Sequence, residues 1–245
     1  MEEAFNARAT AESLIGWLKE KIGEAGAEGG VFGLSGGIDS TVVAGLMKRA
    51  FPKHSLGILL PVDSLPADKD DALKVAEILD LPTLTLDLSA TLVPFLAEME
   101  NSGLPKDRMA IANTKARLRM TALHYAATLR HSLVIGTGNR SELYVGYFTK
   151  YGDGGVDLLP LACLVKEQVK EVARYLGIPE ELVSRTPSAG LYPGQTDEKE
   201  MGFTYEQLDR YILSGEIEDP MVKEKIDRMH RLSKHKREAI PCPSF

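Results

Sequence analysis

The sequence predicts an α/β fold: a doubly wound parallel sheet with helices on both faces, followed by a helical C-terminal extension. Three observations carry this reading. Short apolar runs alternate with helical patterns of ten or more residues, the mark of βαβ units. The run "SLGILLPV" (55–62) is apolar throughout, as strands covered on both faces are. The segments "LSGGIDS", "LPVDS" and "VIGTGNRSE" each close an apolar run with polar residues. In a parallel sheet such segments gather beyond the carboxyl ends of the strands, where ligands bind.

Taken in order, residues 3 to about 25 form an amphipathic helix, because Ala4, Ala7, Ala11, Leu14, Ile15, Leu18 and Ile22 recur at helical spacing. "GGVFGLS" is a buried strand ending in a turn. Residues 39–50 are a helix closed by Pro52, and 55–62 the second strand. "PADKDDALKVAEILDL" is a helix with Pro66 near its start and acids in its first turn, where the helix dipole favours them. "TLTLDL" (83–88) is the third strand, and "HSLVIGT" (131–137) the fourth. Helices near 90–99 and 108–130 lie between them. The alanine-rich face of the second (Ala110, Ala112, Ala116, Ala122, Ala126) suits core packing or a partner helix. Then come a glycine-rich loop, "YGDGGVDLLP", and the helix "KEQVKEVARYLG", which Gly177 is placed to end. A long loop (184–202) rich in Pro, Gly, Ser and Thr precedes helices near 204–214 and 220–236.

The chain has 245 residues, 44% hydrophobic and 26% charged, which suits a globular protein with a proper core. A net charge of -6 argues against a general nucleic-acid binder but leaves room for a local basic site. Cys163 and Cys242 match neither a zinc spacing nor a disulfide framework, so a reducing cytoplasm is expected, with Cys163 as a small core residue. The acidic N-terminus lacks the apolar stretch of a signal peptide. No segment approaches the roughly 20 apolar residues of a membrane span.

The stretch "FGLSGGIDSTVVAGLMKRA" (32–50) demands a chemical explanation. N–H groups at a helix N-terminus lack intrahelical acceptors, and the dipole favours an anion there. Gly36 and Gly37 permit a tight turn and close approach of a phosphate; Ser35, Ser40 and Thr41 add hydroxyls. Asp39 beside an anion makes sense when a cation mediates, and Mg²⁺ is the usual one. The spacing is neither GxxxxGK[ST] nor GxGxxG. The competing reading is a plain strand–turn–helix junction capped by Asp and Ser.

"LSGGIDST" resembles the SGGxDS pyrophosphate-binding motif of the N-type ATP pyrophosphatases, whose Rossmann-like fold is of the adenine nucleotide alpha hydrolase kind. Within that superfamily "NTKARLRM" (113–120), "GTGNRSELYVGYFTKYGDGGVDLLPLACLVK" (136–166), "PSAGLYPGQTDEKEMGFTYEQLDRYI" (187–212) and "KHKR" (234–237) resemble, in order, the ammonia-dependent NAD synthetases. The resemblance spans nearly the whole chain. It implies one NAD synthetase domain over 1–245, with the ATP pyrophosphatase core at about 25–180 and the lid loop and C-terminal helices at about 184–245. It further implies a ligase, a cytoplasmic homodimer, that adenylates deamido-NAD with ATP and amidates it with ammonia, acting neither on nucleic acid nor at a membrane.

The same resemblance assigns residues. Gly33, Leu34, Ser35, Gly36, Gly37, Ile38, Asp39 and Ser40 would cradle ATP, with Thr137, Lys166 and Ser188; Asp39 and Glu142 would hold Mg²⁺. Asp39, Lys166 and Ser188 would be catalytic. Ser188 stands where many members have threonine, and Gly190 where an acid is common. Arg119, Lys150, Asp157, His235 and Lys236 would bind deamido-NAD. The long loop would close over ATP and keep water from the acyl-adenylate.

Some NAD synthetases draw nitrogen from glutamine through an added amidase domain. Only about 30 residues precede the nucleotide motif here, so free ammonia, or a separate glutaminase subunit, is the expected source. Two rivals remain at this stage. Another adenylating enzyme, a GMP synthetase core or a tRNA-modifying ligase, is disfavoured by the 136–166 block and the acidic balance. A non-catalytic nucleotide sensor needs no paired acids, second anion site and lid together.

Overall fold

The computed structural model describes residues 5–62, 66–185, 187 and 196–243. Helix α1 (Ala7–Glu24) starts at Asn6, whose side chain accepts from Ala9 N, and buries Leu14, Ile15, Leu18 and Ile22. Strand β1 (Gly29–Gly33) leads into α2 (Ile38–Ala50); β2 (Ser55–Leu59) leads into α3 (Pro66–Ile78). Strand β3 (Thr83–Thr85), α4 (Ser89–Asn101), α5 (Arg108–Leu129) and β4 (Ser132–Val134) follow.

The four strands are parallel in the order β3-β2-β1-β4. The chain steps outward from β1 to β3, then recrosses to place β4 on the far side of β1. Because crossovers are right-handed, this reversal puts helices on opposite faces. One face packs α1, α2 and α3 around Phe32, Leu46 and Met47. The other packs α4 and α5 around Val31, Ile58 and Met120. The doubly wound prediction therefore holds. The reversal also opens a crevice between the carboxyl ends of β1 and β4.

Beyond β4 come α6 (Arg140–Val145), α7 (Lys166–Tyr175), α8 (Glu180–Val183), α9 (Asp197–Met201), α10 (Tyr205–Ser214), α11 (Pro220–Leu232) and α12 (Lys234–Arg237). Helix α7 completes the first face, and Gly177, at φ +84°, ends it as predicted. Helices α6, α9, α10 and α11 enclose a smaller core of Val145, Met201, Phe203, Leu208 and Ile226.

Several expectations need correction. The third strand is three residues long and exposed, because β3 is an edge with one neighbour. The helix expected over 220–236 breaks at Ser233, whose Oγ donates to Met229 O and accepts from Arg237. The expected loop 184–202 contains α9. Cys163 is exposed rather than core: in the turn before α7, Leu161 takes the buried place. In α5, Ala112 and Ala116 are buried while Ala110 faces solvent. No helix among the described residues is long and apolar enough to cross a membrane.

Candidate active site

The turn after β1 is fixed by its own hydroxyls. Ser35 Oγ accepts from Gly37 N at 3.2 Å and lies 3.0 Å from Ser40 Oγ. Ser40 and Thr41 both donate to Gly37 O at 2.9 Å. Gly36 sits at φ +79°, where a Cβ would come within 2.8 Å of Ala72 N in α3. Only glycine meets both demands. The outcome is a helix N-terminus opening at the crevice, with Asp39 in its first turn.

Asp39 reaches across the reversal point. Its Oδ1 accepts from Asn139 Nδ2 at 2.8 Å and its Oδ2 from Lys166 Nζ at 2.5 Å. Asn139 caps α6: its Oδ1 accepts from Glu142 N, and Glu142 Oε2 accepts from Asn139 N. One fully buried asparagine thereby ties Asp39 to Glu142. Glu142 Oε1 accepts from Lys166 Nζ at 3.2 Å and from the Tyr205 hydroxyl at 3.3 Å. Tyr205 also donates to Asp197 Oδ2 at 2.9 Å, and its ring lies 4.8 Å from Lys166 Nζ. Among the described residues, Asp197 Oδ1 is buried without a hydrogen-bond partner.

Lys166 owes its place to α10. Asp209 Oδ2 accepts from Glu167 N, and its Oδ1 accepts from Ser141 Oγ, which in turn accepts from Lys166 N. Helix α7 has no side-chain cap at Val165, so this distant carboxylate takes that part and sets the Lys166 backbone.

Three carboxylates thus surround one ammonium that is 2% exposed. Burial works against the Lys166 charge, but Asp39 and Glu142 hold its pKa above the ordinary lysine value. Burial pushes the Glu142 carboxyl up to about 8 against the pull of Lys166, with Asp39 and Asp197 adding repulsion. Asp197 is raised by burial too, and Tyr205 by burial and then by the neighbouring carboxylates.

Asp39, Glu142, Lys166 and Asp197 line a cavity of about 600 Å³ that also carries Gly33, Ser35, Thr137, Arg119, Asn113 and Lys236. A volume of that size suits a bound nucleotide. Arg119 Nε donates to Leu60 O at the end of β2. Lys236 Nζ donates to Gly146 O and Phe148 O, and burial lowers its pKa. Ala112 and Ala116 line the same cavity, so the small face of α5 leaves room there.

Lys150, Asp157 and His235 do not line the cavity. Lys150 Nζ donates to His235 O at 2.5 Å. Asp157 extends the sheet edge, its Oδ2 accepting from Val134 N and its N–H donating to Val134 O. Ser188 and Gly190 lie outside the described residues. Sequence reasoning missed Asn139 as a link, and missed Asp197, Tyr205 and Asp209 altogether. The signal for the last three was their place inside the block 187–212.

The family model for NAD synthase matches residues 10–241. A curated NH(3)-dependent NAD(+) synthetase from Carboxydothermus hydrogenoformans is 49% identical, over 95% of this chain and 96% of that protein. The solved NMN synthetase from Francisella tularensis aligns with a TM-score of 0.93 at 38% identity, covering 98% of this chain and 100% of that one. The NH3-dependent NAD synthetase from Campylobacter jejuni, in complex with nitrate, gives 0.81 at 29% identity over 98% and 100%. A crevice of about 600 Å³, built by the same stretches that carry the resemblance, thus coincides with similarity along nearly the whole chain: the protein belongs to the NAD synthase family.

Proposed function

We propose that the chain catalyses the last step of NAD biosynthesis. It activates the nicotinate carboxylate of deamido-NAD with ATP and amidates it with ammonia, giving NAD, AMP and pyrophosphate. The observation that carries this reading is the phosphate-binding turn set against the Asp39–Glu142–Lys166 cluster, in one cavity with Arg119 and Lys236.

In the first step a carboxylate oxygen attacks the α-phosphorus and the bond to the bridging oxygen of pyrophosphate breaks. Negative charge gathers on phosphate oxygens, and the α2 N-terminus, the Ser35 and Ser40 hydroxyls and the Lys166 ammonium are suited to receive it. In the second step the ammonia lone pair attacks the acyl carbon, AMP leaves with the carboxylate oxygen, and a proton is lost. Ser188 takes part in phosphate contact in this reading.

The donor set fits Mg²⁺. It is all oxygen, it sets three carboxyl groups around one ammonium, and among the described residues Asp197 Oδ1 is left unsatisfied. Asp39 and Glu142 are the residues that would hold the ion, which when bound neutralises phosphate charge as pyrophosphate leaves. Arg119 and Lys236 would receive the phosphates of deamido-NAD from within one chain. Lys150, Asp157 and His235, away from the cavity, fit a site completed by the second subunit of a homodimer. The proposed setting is the cytoplasm, and the whole chain acts as one synthetase domain.

A second reading concerns substrate size, favoured by the 0.93 TM-score to a protein named an NMN synthetase. NMN is the nicotinamide half of NAD, so the same amidation would act on a mononucleotide. One experiment serves both readings. The pure protein is incubated with ATP, Mg²⁺ and ammonium, and with either deamido-NAD or nicotinate mononucleotide, and the products are resolved by mass. NAD and AMP formed together, with the larger kcat/KM for deamido-NAD, support the first reading. A larger value for the mononucleotide supports the second. No AMP with either substrate refutes both. Efficient use of glutamine in place of ammonium refutes the assigned donor.

A further inference from the structure

Every oxygen of Asp39 and Glu142 already accepts a hydrogen bond from the protein. Asn139 Nδ2 and Lys166 Nζ take those of Asp39. Asn139 N takes one of Glu142, and Lys166 Nζ with the Tyr205 hydroxyl takes the other. Among the described residues no group of three or more metal-ligating side chains is poised around a common point. The cluster nonetheless has oxygen to spare for a cation, because three carboxyl groups face one ammonium and, among the described residues, Asp197 Oδ1 has no hydrogen-bond partner. The partners are unequal in what they lose by moving. Asn139 is fully buried and caps α6. Lys166 ends in a compact ammonium on a flexible four-carbon stem, and its backbone is held separately at the start of α7, so the ammonium can turn without unseating the helix.

We propose that in the nucleotide-free protein the Lys166 ammonium occupies the place between Asp39 and Glu142 that a divalent cation takes, so that the cation enters with the nucleotide and not before it. An ammonium within 2.5 Å of one carboxylate and 3.2 Å of the other repels a divalent ion from both. Phosphate oxygens arriving at the Ser35–Ser40 turn offer Lys166 a second set of acceptors. As it turns to them it frees Asp39 Oδ2 and Glu142 Oε1, and the same phosphates supply further oxygens for the cation. Lys166 thereby makes the protein select the cation–nucleotide complex over the bare ion. This rests on the assignment above of Asp39 and Glu142 to the cation and of Lys166 to the nucleotide.

The test uses Mn²⁺ as the probe, its free concentration followed by electron paramagnetic resonance, on the full chain without nucleotide. The wild type is expected to bind Mn²⁺ at least tenfold more weakly than Lys166→Met, the reverse of what removing an ordinary binding residue does. Adding Asp39→Asn to Lys166→Met abolishes the gained site. Circular dichroism and melting check that each variant folds, and Lys166→Gln replaces the methionine variant if that one does not. Equal affinity in wild type and lysine variant, with the site still dependent on Asp39, overturns the proposal and leaves the cation assignment standing. No Asp39-dependent Mn²⁺ site in any variant overturns both. The wild-type arm stands alone as well: a saturable, Asp39-dependent site with a Kd of about 50 μM or below, without nucleotide, contradicts the proposal.

Discussion

The cavity carries two groups of charge that are built in opposite ways. Around Lys166 the acids outnumber the base, and the partners are other charges: Asp39, Glu142 and, one tyrosine hydroxyl away, Asp197. Lys236, by contrast, donates to the main-chain oxygens of Gly146 and Phe148. A carbonyl orients an ammonium without cancelling its charge; Asp153 offsets part of that charge, and Arg119 on the same cavity leaves positive potential for an anionic ligand. The acid-rich group is short of a cation and the basic one is short of an anion. Mg²⁺ with ATP would complete the first and the phosphates of deamido-NAD the second.

Removing an acid should break the first group outright. Asp39→Asn keeps the shape and one hydrogen-bond acceptor but discards the charge. NAD formation is expected to fall about 100-fold or more, with an unchanged circular dichroism spectrum. Near-normal turnover would sink the role given to this carboxylate.

The acid-rich group also depends on a turn with no slack. Gly36→Ala forces a Cβ to 2.8 Å from Ala72 N at φ +79°. A loss of about 1–3 kcal/mol in stability is expected from thermal or denaturant unfolding, together with weaker ATP binding. A melting temperature equal to the wild type would show that the turn adapts.

The basic group should respond in binding rather than in chemistry. Lys236→Met is expected to raise the KM for deamido-NAD about tenfold, worth about 1.4 kcal/mol, and to move the KM for ATP less than twofold. Equal effects on both substrates would mean that the two groups are not separate.

A pH series distinguishes the acid-rich group in the absence of any ligand. Glu142 has its pKa raised from 4.5 to about 8 by burial, so the native state holds this proton more tightly than the unfolded chain does. Its contribution to stability is fully present below about pH 4.5 and is lost as pH rises through about 8. In chelator-treated buffer the stability of wild type relative to Glu142→Gln should therefore fall across that window. A flat difference would contradict the burial of this carboxyl. The smallest effect belongs to a residue outside both groups: Cys163→Ser, on an exposed turn, should change stability by less than about 0.5 kcal/mol and leave activity intact.

Legibility in the sequence follows the same division. The Ser35–Ser40 turn was readable because Ser35, Gly37 and Ser40 act on one another within five residues, and a strand and a helix frame them. The sheet was readable because β1 and β2 are buried on both faces and, Ser55 apart, carry no polar side chain. The acid-rich group is assembled from distant segments. Asn139 meets Asp39 across 100 positions, Lys166 meets Asp39 across 127, and Asp209 meets Ser141 across 68. No local pattern encodes such meetings, so Asp39 was read from its own turn, Glu142 and Lys166 came through resemblance, and Asp197, Tyr205 and Asp209 were missed. Cys163 misled for a related reason: its apolar neighbours suggested core, but a turn decides which side chain points inward.

The central claim is that the carboxylate is activated at the α-phosphorus of ATP and then displaced by ammonia. Deamido-NAD labelled with ¹⁸O in its nicotinate carboxylate tests this most directly. If the account holds, each turnover transfers one ¹⁸O to the phosphate of AMP and none to pyrophosphate. Label in pyrophosphate or inorganic phosphate, or AMP formed without label, would contradict it.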